Sequence, residues 1–455
     1  MINTDTICAL ATAPGGALGI IRLSGPQTLE ILSLLFTEDL KKAQPNTIHY
    51  GHIVECEHQE IIDEALVSVF RAPHSYTGEE SAEISCHGSR YILNKVLELL
   101  IQYGCRMAKP GEYTQRAYLN GKMDLSQAEA VADLIASSNK ATHQIAMSQL
   151  RGHFSSELKT LRNQLLELTS LLELELDFSD HEDLEFADRN ELLQLATKIQ
   201  NRISNLAHTF ETGQAIKNGI PVAIVGKTNV GKSTLLNALL KDDRAIVSEI
   251  HGTTRDTIED TIDILGVTFR FIDTAGIRQT TDDIEQIGIQ RTYAAIEKAT
   301  IILWIFDEEP TDAEISDITD HIQDRKLIPV LNKIDKNTTS TCFSRNTSLP
   351  SPIKISAKHG INLDVLEDAI YKAANLSPLS ETDIIITSTR HYDSLLRAHE
   401  SITRVLSGLE IQLSGELVAE DLRLTLADLA EITGEGQITP QETLNNIFSH
   451  FCVGK

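Results

Sequence analysis

The chain has 455 residues and a formal net charge of −25 at pH 7, so it is long enough for two to four domains. Such acidity argues against capturing RNA on a broad basic surface, because counterion release needs clustered Lys and Arg. No apolar run reaches the length of a membrane span, the start at Met1–Asp5 lacks the basic residues of a secretory signal, and the six scattered cysteines form no C-x-x-C pair. We therefore expect a cytoplasmic protein without a membrane span, a disulfide framework or a zinc knuckle.

Residues 1–118 are predicted to form a mixed, strand-rich domain. The runs Leu18–Leu23 and Glu64–Phe70 have the β-branched, apolar composition of strands. Gly15-Gly16 precedes the first of these strands and not a helix, so the pair is no dinucleotide-binding fingerprint.

Residues 119–212 are predicted to be helical, because the apolar period changes to 3.6 near Leu125 and long stretches lack Pro and Gly. The stretch Asp177–Glu185 is acidic and broken, and we interpret it as an exposed loop between helices. The leucines that mark the helical period are Leu161, Leu165, Leu168 and Leu172.

A different pattern separates this helical region from a second one at residues 380–455. Gly213–Gly219 is interpreted as a short linker into a domain that ends near Ser377-Pro378. The simplest architecture inserts residues 213–379 into a helical domain made of 119–212 and 380–455, which requires the two ends of the insert to lie close together.

The inserted region begins with a phosphate-binding loop. Residues 226–233 read Gly-Lys-Thr-Asn-Val-Gly-Lys-Ser, after the apolar run Val222–Val225 and before a helical pattern. In that context the glycines let backbone N–H groups turn onto phosphate oxygens, and the helix N-terminus adds its dipole. Lys232 is expected to reach the β- and γ-phosphates, and the Ser233 hydroxyl to hold Mg²⁺.

Two further segments are typical of a switch around the γ-phosphate. Asp273-Thr-Ala-Gly276 ends an alternating apolar run, where the Asp can hold the Mg²⁺ shell and the Gly276 N–H can sense the γ-phosphate. A Thr in Gly252–Asp256 can complete that shell when the loop closes. Position 277 is Ile, which cannot orient water, so the catalytic group must come from elsewhere; the acidic residues of the next segment are candidates, namely Asp282, Asp283 and Glu285.

The base is predicted to be guanine. Asn332-Lys-Ile-Asp335 follows a short strand, and the Asp335 carboxylate can accept from guanine N1–H and N2–H₂ together. Adenine offers neither donor, and sites of this kind discriminate by roughly 10⁴–10⁵. The backbone of Ser356–Lys358 can cap the base carbonyl. Four such motifs in order, each at a strand end, identify a GTPase domain.

The motifs together resemble one family, the tRNA-modification GTPases called MnmE or TrmE. The resemblance spans the whole chain and includes the tail Phe451–Lys455. The other segments that carry it are Thr12–Gly16, Ser75–Glu79, Lys109–Tyr113, Asn120–Glu129, Gly252–Asp256 and Asp273–Gly276.

The resemblance implies potassium-stimulated hydrolysis, with K⁺ lying where an arginine finger would. It assigns K⁺ to Asn229, Ser248, Ile250 and Thr253, adds Thr254 to Ser233 as a Mg²⁺ ligand, and gives Glu285 the role of positioning water. With the motifs, it places the GTP site at Asn229, Val230, Gly231, Lys232, Ser233, Thr234, Ser248, Thr253, Thr254, Asp273, Thr274, Ala275, Gly276, Asn332, Lys333, Asp335, Ser356, Ala357 and Lys358.

For the N-terminal domain the resemblance implies a tetrahydrofolate-binding fold that also mediates homodimerisation. The folate contacts it assigns are Arg22, Glu83, Lys122 and Lys455, and the cofactor is 5-formyl- or methylene-tetrahydrofolate. The implied fold class is α/β plus α: a P-loop GTPase domain inserted into a helical domain and preceded by a mixed α+β folate-binding-like domain.

The implied function is the modification of the wobble uridine of certain tRNAs at C5. An FAD- and NADH-using partner of the MnmG (GidA) type would form a heterotetramer with the homodimer. The product is an aminomethyl or carboxymethylaminomethyl group, with folate supplying the carbon and glycine or ammonium the nitrogen. Cys452, two residues from His450, is either a nucleophile or an unpaired or buried tail thiol.

Two other functions stay open from the residues alone. A ribosome-assembly or regulatory GTPase of the Era-like type would share the GTPase motifs, but such proteins lack the N-terminal 118 residues and the Cys-x-Gly-Lys tail and end in a basic RNA-binding domain. A stand-alone folate aminomethyltransferase with a regulatory GTPase domain would modify tRNA without a partner.

Overall fold

The protein forms two compact units. The first comprises Met1–Ala136, Gln149–Ile203 and Asp393–Lys455; the second comprises Ser137–Ser148 and Ser204–Tyr392. The second unit therefore interrupts the first in sequence. The computed structural model describes residues 5–55, 60–177, 189–242, 260–272, 293–322, 325–336, 350–376 and 383–434, with positions 444, 447–449, 451 and 454.

The first unit begins with a sheet of order β3-β4-β5-β2-β1-β6, antiparallel except for the pair β1 and β6. Both predicted strands are present. One face is apolar and contacts α1 and α2 in a core that includes the buried free thiols of Cys8, Cys86 and Cys105. The bounds are β1 Thr6–Leu10, β2 Leu18–Ser24, α1 Thr28–Leu35, a 3₁₀ turn at Leu40–Lys42, β3 Thr47–Glu55, β4 Glu60–Phe70, β5 Ser81–His87, α2 Arg90–Gln102 and β6 Cys105–Met107.

The rest of the first unit is helical, as the 3.6-residue period predicts. The four marker leucines of residues 161–172 are at most 1% exposed, because their spacing places them on one stripe of α6. That helix packs against α12. The helices after β6 are α3 Glu112–Leu119, α4 Leu125–Ala136, α5 Lys140–Leu150, α6 His153–Asp177, α7 Arg189–Asn218, α11 Thr389–Glu410 and α12 Gly415–Thr433; α5 begins in the second unit and α7 runs on into it. Within the described ranges, no helix is long and apolar enough to cross a bilayer.

The second unit is built on a sheet of order β12-β11-β10-β7-β9-β8, parallel except for the hairpin of β8 and β9. All six residues of β10 are buried, as expected for a strand covered on both faces. The carboxyl ends of β7, β10 and β11 meet at one edge, where ligands bind in folds of this class. The bounds are β7 Ile220–Val225, α8 Lys232–Asp242, β8 Asp260–Ile264, β9 Val267–Phe271, β10 Ile301–Phe306, α9 Asp312–Ile322, β11 Lys326–Leu331, β12 Ile353–Lys354 and α10 Leu363–Ala373.

The linker predicted at Gly213–Gly219 is wrong for most of its length. Helix α7 continues to Asn218, and only Gly219, at φ +82°, leaves the helix. Gly213 is needed for a close approach, since a Cβ there would lie 2.0 Å from the carbonyl oxygen of Ile386. The glycine that indicated a break therefore lets α7 pack closely against the non-helical segment that contains Ile386. The loop predicted at Asp177–Glu185 lies, after Asp177, outside the described residues.

Candidate guanine-nucleotide site

The loop between β7 and α8 has the predicted strand–loop–helix context and depends on two glycines. Gly226 lies at φ +150° and Gly231 at φ +101°, where other residues are strained. A Cβ on Gly226 would lie 2.2 Å from the Ile305 carbonyl oxygen, and one on Gly231 would lie 2.3 Å from Nδ2 of Asn332. The loop is therefore packed closely on the end of β10 and on Asn332, with the N-terminus of α8 at its end.

The side chain of Lys232 folds back over the loop from which it starts. Its Nζ donates to the carbonyl oxygens of Gly226 and, at 2.7 Å, Lys227. Burial lowers the pKa of Lys232, since it disfavours the charged form. A phosphate group in the loop would offer this ammonium charged acceptors, which bind roughly twice as strongly as neutral ones.

Asn332 joins the loops that follow β7, β11 and β12. It is 2% exposed. Its Nδ2 donates to the Val230 carbonyl oxygen at 2.8 Å, and its Oδ1 accepts from the Ala357 N–H at 3.0 Å. A buried amide with both ends satisfied holds its neighbours in one arrangement. The phosphate loop and the predicted base loops are therefore tied together within the protein itself.

Asp335 is a carboxylate held between the loops that follow β11 and β12. Its Oδ1 accepts from Ser356 Oγ at 2.6 Å, and its Oδ2 lies 3.7 Å from Nε2 of His359. The hydrogen bond from Ser356 lowers the pKa of Asp335. The group is therefore ionised at neutral pH and can accept two N–H donors at once.

Two lysines join the phosphate loop to acidic residues that follow β10. Lys333 Nζ donates to the Asn229 carbonyl oxygen at 2.6 Å and to Asp307 Oδ2 at 2.7 Å. Lys227 Nζ lies 2.5 Å from Glu314 Oε1 on α9. The sequence interpretation missed both acids. The signal that indicates Asp307 is its position directly after the fully apolar strand β10.

The second unit thus brings together the predicted GTP residues of two segments, 229–234 and 332–358. They are Asn229, Val230, Gly231, Lys232, Ser233, Thr234, Asn332, Lys333, Asp335, Ser356, Ala357 and Lys358. The other predicted residues lie outside the described ranges, namely Ser248, Ile250, Thr253, Thr254, Asp273, Thr274, Ala275, Gly276, Asp282, Asp283 and Glu285. In the part of the chain that the structure describes, no group of three or more His, Cys, Asp and Glu side chains could hold a metal ion.

The first unit carries a second polar cluster around Arg22, one of the predicted folate contacts. Arg22 and Glu83 are opposite each other on β2 and β5, and the guanidinium donates to Glu83 Oε1 at 2.7 and 2.9 Å. Nη1 of Arg22 also donates to the Gly454 carbonyl oxygen at 3.2 Å. The rings of Tyr76 and Tyr113 each lie 5.7 Å from the guanidinium carbon, within the range of cation–π attraction.

The other two predicted folate residues are placed differently. Nζ of Lys122 donates to the Pro73 carbonyl oxygen at 2.9 Å, so it contacts the segment that carries Tyr76. Lys455 lies outside the described residues, as does Cys452, although the preceding Gly454 contacts Arg22. Tyr76 and Tyr113 were not predicted as site residues; each lies in a motif singled out above.

Those two motifs meet in a buried ion network beneath this cluster. Arg116, whose side chain is 1% exposed, pairs with Asp5, Glu79 and Glu112. Burial alone would raise the pKa of Glu112, but hydrogen bonds and charge from the arginines lower it below its ordinary value. The Asp5 side chain is 43% exposed, but Arg116 and Glu112 are both buried, and removing one partner of a buried pair costs about 3–5 kcal/mol. The network therefore fixes the segments that present Tyr76 and Tyr113.

Known proteins resemble this chain along most of its length. Residues 125–452 match the family model of the MnmE helical domain, and residues 6–122 match that of the GTP-binding protein TrmE N-terminus. The tRNA modification GTPase MnmE of Phocaeicola vulgatus is 55% identical over 502 residues, and that of Bacteroides fragilis is 53% identical over 470 residues, each covering 100% of both chains. Among solved structures, the G domain of the T. maritima FeoB iron transporter is similar with a TM-score of 0.26 and 23% identity, covering 34% of this chain and 98% of that one.

The family model of the helical domain covers more than half of the chain, and relatives with more than half of their residues identical match it from end to end. The phosphate loop, the Asn332 tie and the ionised Asp335 are the parts that a guanine-nucleotide site needs. The chain therefore belongs to the MnmE family of tRNA modification GTPases.

Proposed function

We propose that this protein is a potassium-activated GTPase that acts in the modification of the wobble uridine of tRNAs at C5. With an FAD-dependent partner of the MnmG (GidA) type, it installs an aminomethyl or carboxymethylaminomethyl group, using the one-carbon unit of 5-formyl- or methylene-tetrahydrofolate. The observation that carries the proposal is the assembled nucleotide site, in a chain whose relatives are named tRNA modification GTPases. GTP hydrolysis drives a conformational change and not the carbon transfer itself.

Asn229 supports a monovalent cation beside the phosphates in this proposal. Asn229 is exposed at the mouth of the phosphate loop at φ +62°, and its carbonyl oxygen is held by Lys333. Its side-chain amide supplies the kind of oxygen ligand that hard cations prefer. Ser248, Ile250 and Thr253 complete the K⁺ set in this proposal. Ser233 and Thr254 hold Mg²⁺, and Glu285 positions the attacking water.

Potassium dependence is the first consequence. We expect GTP hydrolysis to be at least about tenfold faster in KCl than in NaCl at equal ionic strength, because a bound cation replaces an arginine finger in stabilising developing charge. Asn229→Ala should remove the difference while the protein still binds GDP. Phosphate release under saturating GTP measures the effect in both salts.

Asn201→Ala, which removes an exposed amide from α7 in the first unit, is the matched control and should keep the full potassium response. Equal turnover of the native protein in the two salts would contradict the potassium assignment. An arginine supplied in trans would then be the candidate for stabilising the developing charge, with Arg255 and Arg278 as the residues to test.

The folate part of the proposal rests on the Arg22 cluster. The cluster combines the Arg22 cation and the Glu83 carboxylate with two aromatic rings, those of Tyr76 and Tyr113, and Arg22 contacts the C-terminal tail at Gly454. Such a set can hold the polar edge of a pterin or the carboxylates of a folate. Lys122 and Lys455 are the remaining contacts in this proposal, and the domain that carries them also forms the homodimer.

The partner and the location complete the proposal. With a net charge of −25, the protein needs a partner to supply much of the positive surface for tRNA. A heterotetramer of two copies of this chain and two of the FAD protein provides it. We place the complex in the cytoplasm, where tRNA is modified.

Nucleoside mass spectrometry of tRNA tests the function directly. In a strain that lacks this protein, we expect loss of the C5 aminomethyl and carboxymethylaminomethyl uridines and a corresponding rise in uridine without the C5 group. A plasmid copy should restore them, and a Lys232→Ala copy should not. Restoration by the native copy is the control for secondary effects of the deletion.

Unchanged wobble nucleosides in the deletion strain would contradict the proposal. If ribosomal subunit precursors accumulated in the same cells, the Era-like function would take its place. If the purified chain modified tRNA with folate and a nitrogen donor but without the FAD protein, the protein would instead be a stand-alone folate aminomethyltransferase.

A further inference from the structure

We propose that Asp307 is a positioning residue for GTP hydrolysis, acting through Lys333 on the backbone of Asn229. The inference deepens the proposed function, since Asn229 is the proposed potassium ligand. The side chain of Lys333 links Asp307 to Asn229, and the effect of Asp307 on Asn229 passes through it.

The contacts form a chain of three residues. Asp307 Oδ2 accepts from Lys333 Nζ at 2.7 Å, and the same Nζ donates to the Asn229 carbonyl oxygen at 2.6 Å. Asp307 directly follows β10 and Lys333 lies two residues after the end of β11; the parallel register pairs Phe306 with Leu331. The sheet therefore presents the carboxylate and the ammonium to each other at the edge where the phosphate loop lies.

The two ends of this chain differ in what holds them. Asp307 is anchored by a buried strand, whereas Asn229 is exposed and lies at φ +62°, a conformation that costs free energy for a residue with a side chain. Lys333 lies at φ +63° as well. Without the carboxylate, the ammonium would lose the partner that keeps it over the loop. The Asn229 backbone could then relax and turn its amide away from the cation.

The ion pair between Asp307 and Lys333 acts through its geometry and not through its strength. The side chains of Asp307 and Lys333 are 35% and 30% exposed, and pairs of that kind contribute modestly to stability. What matters is geometry, because catalytic groups lose much of their effect when they move by about 1 Å. A residue of this kind changes ligand affinity more than it changes folding.

The neighbouring acid Glu314 shows the contrast. It pairs with Lys227, which is 71% exposed at the start of the loop and donates to no residue around Asn229 in the contacts described. Asp307 is thus the acid whose partner reaches the proposed cation ligand.

The experiment compares Asp307→Ala and Asp307→Asn with the native full-length protein. We expect Asp307→Ala to raise the KCl concentration for half-maximal GTP hydrolysis by roughly tenfold, and to speed release of a fluorescent GDP analogue. Asp307→Asn keeps an acceptor oxygen, so its half-activating KCl concentration and its rate of GDP release should lie between those of the native protein and Asp307→Ala. Thermal unfolding of each variant shows whether it is folded before the kinetic constants are compared.

A double-mutant cycle with Lys333→Ala tests the route. If Asp307 acts through Lys333, then Asp307→Ala should add nothing to either readout in the Lys333→Ala background. Asp317→Asn, which neutralises an exposed carboxylate on α9 paired with Tyr293, is the matched charge control and should leave both readouts at native values.

The outcomes separate this inference from the potassium hypothesis. A native protein that responds to KCl while Asp307→Ala keeps both its half-activating concentration and its GDP release would overturn the inference alone. If GTP hydrolysis by the native protein did not respond to KCl, the potassium assignment would be wrong. In that case GDP release from Asp307→Ala tests the positioning role by itself: faster release than in the native protein would support it, and unchanged release would overturn it. Full additivity with Lys333→Ala would overturn it as well.

Discussion

Lys232→Ala is expected to abolish tight binding of GTP. In the structure the Lys232 ammonium lies over the phosphate loop, held by the carbonyl oxygens of Gly226 and Lys227. In the proposed site it is the charge that contacts the β- and γ-phosphates. Truncating one partner of a desolvated charge pair costs about 2–5 kcal/mol, so the dissociation constant should rise by roughly 30-fold to several thousand-fold. Titration with a fluorescent GTP analogue or calorimetry measures it.

Lys372→Ala removes an exposed lysine from α10, where it pairs with Asp368, and should keep native affinity for GTP.

The pH dependence of GTP binding gives a second test. Burial lowers the pKa of Lys232 in the free protein. Its ammonium group therefore deprotonates at a lower pH than that of an ordinary lysine. Affinity for GTP should therefore fall as the pH rises through that lowered pKa, and Lys232→Ala should not show this fall. Native affinity in Lys232→Ala would refute the assigned role of the loop.

Asp335→Asn should shift the base preference from guanine to xanthine. The Asp335 carboxylate accepts from Ser356 Oγ at 2.6 Å, and its lowered pKa keeps it ionised. An Asn there offers an N–H donor where xanthine has a carbonyl in place of the guanine amino group. We expect the preference for GTP over xanthosine triphosphate to fall by roughly 10²–10⁴. Competition of the two nucleotides against a fluorescent GDP analogue measures the ratio.

The matched control is Asp368→Asn, an exposed carboxylate on α10 that contacts only Lys372 in the pairs described. Its base preference should stay native. If Asp335→Asn bound GTP with its full native preference, base recognition would have to lie elsewhere than in the loops after β11 and β12.

Much of the nucleotide site follows from local sequence. The segment from Val222 to Leu240 specifies a strand, a glycine loop and a helix within a short span, and the structure has each of them. Such motifs are predictable because their geometry depends on neighbours in the chain. Lys333 was predicted for its motif, but its partner Asp307 was not. That pair depends on the register of β10 and β11, which no local pattern reports.

The errors have a similar cause. Gly213 indicated a linker because glycine is costly within a helix, yet here the missing side chain allows close contact with Ile386. Arg116 shows the same limit in the first unit. No local pattern predicts its ion pairs, because only the fold brings Asp5 and Glu79 to it from elsewhere in the chain. Long-range contacts of this kind decide which local preferences prevail.

The three thiols in the core of the first unit have a practical consequence for chemical labelling. Cys8, Cys86 and Cys105 are at most 5% exposed, and burial raises the pKa of Cys86 to about 11. The hydrogen bond with Cys105 instead lowers the pKa of Cys8, so that thiol is protected by burial alone. Because the thiolate is the reactive form and the reagent must reach the sulfur, buried thiols are slow to alkylate, and a raised pKa slows them further. A brief pulse of iodoacetamide on the native protein should therefore spare these three positions. The remaining thiols, Cys452 in the C-terminal tail among them, can then be followed by peptide mass spectrometry without substituting any core cysteine.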